Sequence, residues 1–490
     1  MDFLTIVVGL LLALILIQYG LQTLSGGGKN LPPGPTPLPL IGNLHLLGDH
    51  PHKSLARLAK TYGPLMRLRL GFINTVVISS AVVAKEVLQK QDLVFSSRSI
   101  PDAIHAHDQF KYSVVWLPVA SRWRSLRKAM NSNIFSGSRL DANHHLRSRK
   151  VEELIAYCRK SGETGGPVDV GRAAFRTTLN SLSNTIFSQD LTDPFLDSAK
   201  EFKELVSNIM AEAGKPNLVD FFPFLESLDP QGIRRRMTVY FGKVLELFSG
   251  LIDQKIEKRR RSEDHEASDV IDVLLSRPEE IDRTHIERLC LDLFVAGTDT
   301  TTSTVEWAMA EAIRNPEVMK KAKSELEEVI GKGKIVQETD VSRLPYLQCL
   351  VKETMRLHPP VPFLIPRRVE QDVEVLGRMV VPKNSQVFVN VWAIGRDPDV
   401  WENPLEFNPQ RFLESEVDMR GTDFELIPFG AGRRICPGLP LAVRMVPVMV
   451  GSLLNSFDWK VESGLELNMD EKFGITLAKA EPLHVVPISI

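Results

Sequence analysis

Between Thr284 and Pro316 the chain carries one glycine and no proline, and that run limits the fold more than any other feature. Thr284-His-Ile-Glu287 has the form of a capping box. Pro316 disfavours helical backbone at the residue before it. The spacing predicts one helix over 284–315, and about thirty residues span roughly 47 Å. Such a helix crosses a whole globular body, so the rest of the 490 residues must pack around it. Its middle, Ala296-Gly-Thr-Asp-Thr-Thr-Thr-Ser-Thr304, is made of poor helix formers, so something must compensate for a weakened centre. Threonine hydroxyls bonding back to carbonyls one turn earlier are the plain explanation of such a run.

A lone cysteine in a glycine loop is the second constraint. Pro428-Phe-Gly-Ala-Gly-Arg-Arg-Ile-Cys-Pro-Gly438 sets Cys436 just ahead of an apolar run, Leu439 to Leu454. The run reads as a buried helix, with Pro440 tolerated in its first turn and Pro447 a kink point further in. At a helix N-terminus, exposed amides and the helix dipole favour a thiolate over a thiol, and a thiolate is a soft metal ligand. A buried cysteine in a tight turn is the alternative. No second Cys or His stands at ligand spacing nearby, which disfavours zinc.

Phe429-x-x-Gly432-x-Arg434-x-Cys436-x-Gly438 resembles the haem-binding signature of the cytochrome P-450 superfamily, the haem-thiolate monooxygenases. The resemblance implies a mainly α fold with a minor β region, preceded by one N-terminal transmembrane helix. It implies haem b as cofactor, with Cys436 as the axial iron ligand. Phe429, Arg434 and Gly438 would be cofactor-binding positions, Arg434 facing a propionate. Ala296-Gly297-x-Asp299-Thr300-Thr301 resembles the family's oxygen-activation motif. By that resemblance Asp299 and Thr300 form the proton path to dioxygen, and Gly297 leaves room above the haem. Trp123 and Arg127 lie four apart on one helical face, the spacing of a surface cation–π pair. They also match the family's W-x-x-x-R, which implies a propionate contact, as Pro366-Arg367 does. Glu353-Thr-Met-Arg356 puts opposite charges at i,i+3 and resembles the family's E-x-x-R, whose third partner would be Arg411. Gln410 departs from the usual glutamate beside that arginine.

Lys and Arg number 59 against 61 Asp and Glu, a balance that gives no sign of an electrostatic grip on nucleic acid. Four scattered cysteines form no disulfide framework, so a reduced, cytosol-facing body is expected. Phe3 to Leu24 carries no charge and is long enough to cross a bilayer. Met1-Asp2 lacks the basic start of a signal peptide, and Lys29 follows as a positive-inside cue. The expected organisation is an anchor at 1–24, a linker and proline-rich hinge at 25–39, and a catalytic domain at 40–490 on the cytosolic side of the endoplasmic reticulum membrane. Within the last, Leu65 to Ser79 alternates as a hairpin, and Pro101 to Pro118 reads as a loop. Lys255 to Glu266 reads as a solvated loop.

No G-x-G-x-x-G joins a strand to a helix, because Ile435 stands at the third position after Gly430-x-Gly432. Electrons must therefore come through a separate protein. The resemblance implies NADPH–cytochrome P-450 reductase, with Arg122, Arg124, Lys128 and Arg433 as candidate docking charges. Segments matching the family's substrate-recognition regions supply Ile104, Phe110, Phe221 to Phe224, Phe294, Ala296, Val361, Leu364, Phe473 and Ile475, an apolar set suited to a small lipophilic substrate. Any one of these is equally compatible with ordinary core. Asn30-Leu-Pro-Pro-Gly-Pro35, Leu44-His-Leu-Leu-Gly48 and Glu471-Lys-Phe-Gly-Ile-Thr476 resemble a plant microsomal branch of the family. That implies hydroxylation of the terminal allylic methyl of an acyclic monoterpene alcohol. Hydroxylation of another terpenoid or phenolic, a non-redox haem-thiolate isomerase, and a tethered haem binder are the rival readings.

Overall fold

The computed structural model describes residues 9, 30–192, 198–261, 269–276, 281–461 and 466–490. The expected anchor at 1–24 lies, but for Gly9, outside them. Six helices frame the site: α1 (Ser121–Asn133), α2 (Val170–Phe187), α3 (Ile233–Arg261), α4 (Arg283–Arg314), α5 (Pro345–Leu357) and α6 (Leu439–Ser456). The expected long helix is α4, which packs against α2, α3, α5 and α6. From Thr302 to Ala312 every residue of it is buried, so this part of the helix is enclosed on all sides.

The start of α4 differs from the expected capping box. Asp282, two residues earlier, is the N-cap: its carboxylate accepts from His285 N at 3.0 Å and contacts the His285 ring at 2.8 Å. A short acidic side chain reaches the free amides of the first turn, where the dipole also favours its charge. The far end falls at Arg314, ahead of Asn315-Pro316.

Five strands make the main sheet: β1 (Leu65–Leu70), β2 (Ile73–Ile78), β3 (Ser97–Arg98), β4 (Arg367–Arg368) and β5 (Gln386–Val389), in the order β1-β2-β5-β4-β3. The expected hairpin pairs Leu65 with Ile78 through Leu70 with Ile73. Its turn needs Gly71, whose φ is +58°, and a Cβ there would stand 2.6 Å from Phe221 O. The proline-rich segment is docked on this hairpin: Arg67 N donates to Pro33 O at 2.8 Å, and a side chain at Gly34 would strike Arg67 O. So the described part of the expected hinge is bound to the body.

Pro101–Pro118 is not a plain loop. Asp102–Lys111 winds as 3-10 turns broken at Ala106–Asp108, with His107 and Asp108 at positive φ. The basic half of Lys255–Glu266 is the end of α3, where Lys255 pairs with Asp269, and 262–268 lies outside the described residues. Among the described residues α6 is the one helix long and apolar enough to cross a membrane. Two-thirds of it is buried in the protein, and it runs unbroken through Pro447 as a core helix.

Candidate active site

The cysteine loop is closed by Cys436 N donating to Phe429 O at 3.0 Å and Ile435 N donating to Gly432 O at 3.0 Å. Gly432 is required twice over: its φ is +68°, and a Cβ would lie 2.1 Å from Leu88 O. The amides of Gly438 and Leu439, at the head of α6, face the Cys436 sulfur. Cys436 is half-exposed although it lies deep in the protein, so its open side turns inward. Burial pushes its thiol up, and the two amides and Arg127 pull the other way without overcoming it. The expected preference for thiolate is thus outweighed by desolvation in the polypeptide alone. A cation bound at the sulfur supplies the missing stabilisation.

Around this loop the chain gathers four guanidiniums. Arg127 donates to Ile435 O. Arg434 stands over the Trp123 ring with its carbon 5.0 Å from the centroid, and Arg127 lies 5.9 Å from the same ring. The Trp123 indole N–H is occupied by Val114 O at 3.1 Å, so here the ring is a platform for two cations and its donor is taken. Arg434 also donates to Ser96 O at 3.0 Å and to Leu117 O. Arg367 donates to Phe95 O at 3.0 Å, and its Nε is buried without a partner.

Arg98, absent from the sequence-based set, completes the group. It donates to Val115 O at 3.1 Å and Ile365 O at 2.7 Å. It pairs directly with Arg367 across β3 and β4, an arrangement that is destabilising for like charges. Burial lowers all four guanidiniums, Arg367 and Arg434 to about 10, and in Arg98, Arg367 and Arg434 the neighbouring arginines add to it. Four cations held mainly on backbone carbonyls beside a soft sulfur suit a dianionic group carrying a metal. An iron porphyrin with two propionates fits that donor set.

The inner face of α4 is accessible midway along an otherwise enclosed helix: Ala296 is exposed, and Gly297, Asp299, Thr300 and Thr301 are half-exposed. The threonines do bond back as an isolated run would, Thr300 Oγ1 to Ala296 O at 2.8 Å and Thr304 Oγ1 to Thr300 O at 2.9 Å. Burial raises the Asp299 carboxyl, with Thr476, Lys203 and Lys472 opposing it. Gly297 also has a constraint that its sequence did not announce. A Cβ there would lie 2.9 Å from Leu182 Cδ1, so the glycine admits α2 against α4.

Ile104, Phe110, Ile365, Leu441 and Ile475 belong to one apolar cluster beside this face. Val361 and Leu364 are half-buried on the segment before β4, with Leu364 at φ +53° beside Gly430. Two expected wall residues lie elsewhere. Phe294 is sealed between Phe187 and Phe248, 6.0 and 4.8 Å away, with no accessible surface. Phe473, two residues before Ile475, stacks on His52 with ring centroids 5.5 Å apart. Phe221 and Phe222 likewise pack outward near Gly71 and Phe72.

Asp292, one turn before the inner face, was also missed. Its carboxylate accepts from Ser113 Oγ at 2.8 Å, Gln109 Nε2 at 3.1 Å and Val114 N at 2.8 Å. It therefore fixes the segment whose carbonyls hold Trp123, Arg434 and Arg98. No local motif marks it, because its partners are nearly 180 positions away.

Glu353, Arg356 and Arg411 meet at the end of α5, where Arg356 also donates to Gly395 O and Pro404 O. Arg356 binds Glu353 through both oxygens at 2.6 and 2.7 Å, and Arg411 Nε reaches Glu353 Oε1 at 3.1 Å. Gln410 turns to solvent, so its identity does not touch the triad. Arg122, Arg124 and Lys128 are exposed on α1, and Arg433 is paired with Asp92 at 3.1 Å.

Residues 32–486 match the family model described as Cytochrome P-450. The chain is 70% identical to a geraniol 8-hydroxylase of Swertia mussotii over 99% of both proteins, and 68% identical to one of Catharanthus roseus over the whole of both. It is 60% identical, again over both full lengths, to a 7-ethoxycoumarin O-deethylase of Helianthus tuberosus. A solved zebra fish cytochrome P-450 with progesterone superposes at a TM-score of 0.75 and 24% identity, covering 90% of this chain and 99% of that one. That likeness carries the fold alone.

Proposed function

Because the chain belongs to the cytochrome P-450 family, we propose that it hydroxylates geraniol, or a closely similar acyclic monoterpene alcohol, at the C8 allylic methyl. The reaction balances as RH + O2 + NADPH + H⁺ to ROH + H2O + NADP⁺. NADPH–cytochrome P-450 reductase supplies the two electrons. The observation that carries the substrate is the 70% identity along 99% of both chains to a geraniol 8-hydroxylase.

Haem, when bound, activates dioxygen for insertion of one oxygen atom into a C–H bond. The chain's residues do the rest. Cys436 holds the iron through its sulfur. Arg98, Arg127, Arg367 and Arg434 neutralise the propionates, and Trp123 positions two of those cations. Glu353, Arg356 and Arg411 fix the backbone at Gly395 and Pro404. Asp299 is the proton carrier, since burial raises its affinity for a proton above that of an ordinary carboxylate. Thr300 passes that proton on, which requires its hydroxyl to swing off Ala296 O. Ile104, Phe110, Ala296, Val361, Leu364, Ile365 and Ile475 grip a small lipophile by shape and exclude water from the reacting carbon.

The uncharged run Phe3 to Leu24 supports an anchor at 1–24 in the endoplasmic reticulum membrane. The linker 25–39 then joins it to a catalytic domain 40–490 on the cytosolic side. Arg124 and Lys128, exposed on α1, are offered as docking charges for the reductase.

The 60% likeness to a 7-ethoxycoumarin O-deethylase favours a second reading, oxidation of a small phenolic ether in the same chamber. The test is turnover of geraniol by microsomes carrying this chain and the reductase, with products identified by mass spectrometry. The first reading expects 8-hydroxygeraniol that depends on NADPH. Deethylation of 7-ethoxycoumarin with geraniol untouched would move the assignment to the second.

A further inference from the structure

Thr476 sits against Asp299 on a loop fixed from three sides. Leu477 O accepts from Ser303 Oγ at 2.9 Å and Trp307 Nε1 at 3.4 Å, both on α4. Leu477 N donates to Pro360 O at 2.8 Å, and Ile475 N donates to Met210 O at 3.4 Å. The helix Ser198–Gly214 comes so close that a Cβ at Gly214 would stand 1.9 Å from Ile475 N. The loop therefore has little freedom to carry Thr476 away from α4.

Thr476 is 5% exposed, and its hydroxyl is buried with no hydrogen-bond partner among the described residues. Its polar neighbour is the Asp299 carboxyl, whose surrounding charges are Lys203 and Lys472. Lys203 also reaches Asp169 at 3.7 Å and lies in the field of Glu306, whose carboxylate accepts from Leu483 N at 2.8 Å. A buried hydroxyl left unpaired is destabilising, so one beside a carboxylate donates to it. Ile475, the preceding residue, packs in the apolar cluster with Ile104 and Phe110. One short loop thus presents a residue to the chamber and the next to the proton carrier.

We propose that Thr476 is a positioning residue for proton delivery: its hydroxyl donates to the Asp299 carboxylate, fixes the rotamer from which Asp299 releases its proton, and ties that rotamer to the contact Ile475 makes with substrate. The Thr476 proton is shared and stays on Thr476. The proton that moves is that of Asp299, replaced from solvent. Asp299's role rests on the monooxygenase reading, whereas the contact itself does not. A donor at Thr476 stabilises the charged carboxylate, so its loss must shift the Asp299 titration to higher pH.

The experiment uses the full-length haem-loaded chain in lipid nanodiscs, as wild type, Thr476→Val and Thr476→Ser. Infrared titration of the protonated-carboxyl band, with Asp299→Asn as the blank, reads the contact without turnover. Product formed per NADPH consumed, followed against pH with geraniol and reductase, reads its consequence. Thr476→Val is expected to move the titration up and lower coupling by about tenfold, and Thr476→Ser to restore both. A Val variant that titrates as wild type would overturn the proposal, as would a Ser variant that fails like Val, since only packing would then be at stake. If no variant makes product, the hydroxylase reading falls and the infrared titration still decides the Thr476 contact.

Discussion

Replacing Asp292 by asparagine removes a charge and keeps the shape. The carboxyl lies deep in the protein and burial pushes it up to about 6, from 3.8, against the hydrogen bonds it accepts. Ionising it in place at neutral pH therefore costs roughly 3 kcal/mol, which the amide avoids. One amide oxygen can still accept from Ser113 and Gln109, but the amide nitrogen then faces Val114 N and leaves that buried donor unpaired, a loss of about 1–3 kcal/mol. The two effects nearly cancel in global stability at neutral pH, while the segment under Trp123, Arg434 and Arg98 loses its tether.

The pH dependence separates the two effects. A carboxyl whose folded pKa exceeds its unfolded value contributes stability below the unfolded pKa and loses it as pH rises through the folded one. Across that window the wild type therefore loses stability that Asp292→Asn keeps. Between about pH 5 and about pH 7.5 the variant should gain about 1.4 kcal/mol relative to wild type in urea unfolding. Haem transfer to apomyoglobin should be about tenfold faster from the variant. A stability difference that ignores pH, or unchanged haem retention, would refute the reasoning.

Three further outcomes follow from the same geometry. Arg98→Met should raise the thermal midpoint of the haem-free protein by relieving the cation opposite Arg367, yet speed haem loss about tenfold, two opposite signs that calorimetry and haem transfer read separately. Gly297→Ala should cost about 1–3 kcal/mol by overpacking against Leu182 and be rescued by Leu182→Ala; a variant of normal stability with blocked substrate binding would instead put the glycine at the ligand. Glu353→Gln should cost about 3–5 kcal/mol, seen as a lowered denaturant midpoint, because it leaves Arg356 and Arg411 without their shared anion.

Features written in local spacing were legible. The extent of α4, the hairpin about Gly71, the loop ahead of α6 and the i,i+3 charge pair on α5 each follow from residues a few positions apart. What escaped depends on which distant segment arrives. Arg98 acquires meaning only when β4 sets Arg367 opposite it, and Asp292 only when Gln109 to Val114 folds over it. Nothing in the neighbourhood of Gly297 announces its contact with Leu182. Phe294 and Phe473 were apolar residues in the right segments, but the side each faces is set by which rings arrive beside them, Phe187 and Phe248 at the one and His52 at the other. The cap at Asp282 shows a smaller error, since an acidic residue two positions ahead of a Ser/Thr capping box competes for the same amides.

Every role assigned around the inner face of α4 assumes that the Cys436 sulfur binds the iron. The ferrous–CO difference spectrum of the purified chain tests this directly. Wild-type protein should show the band of a thiolate-ligated haem, and Cys436→Ser should lose it while keeping far-ultraviolet helical content. A thiolate band that persists in Cys436→Ser, or a wild-type band typical of a nitrogen ligand, would contradict the assignment.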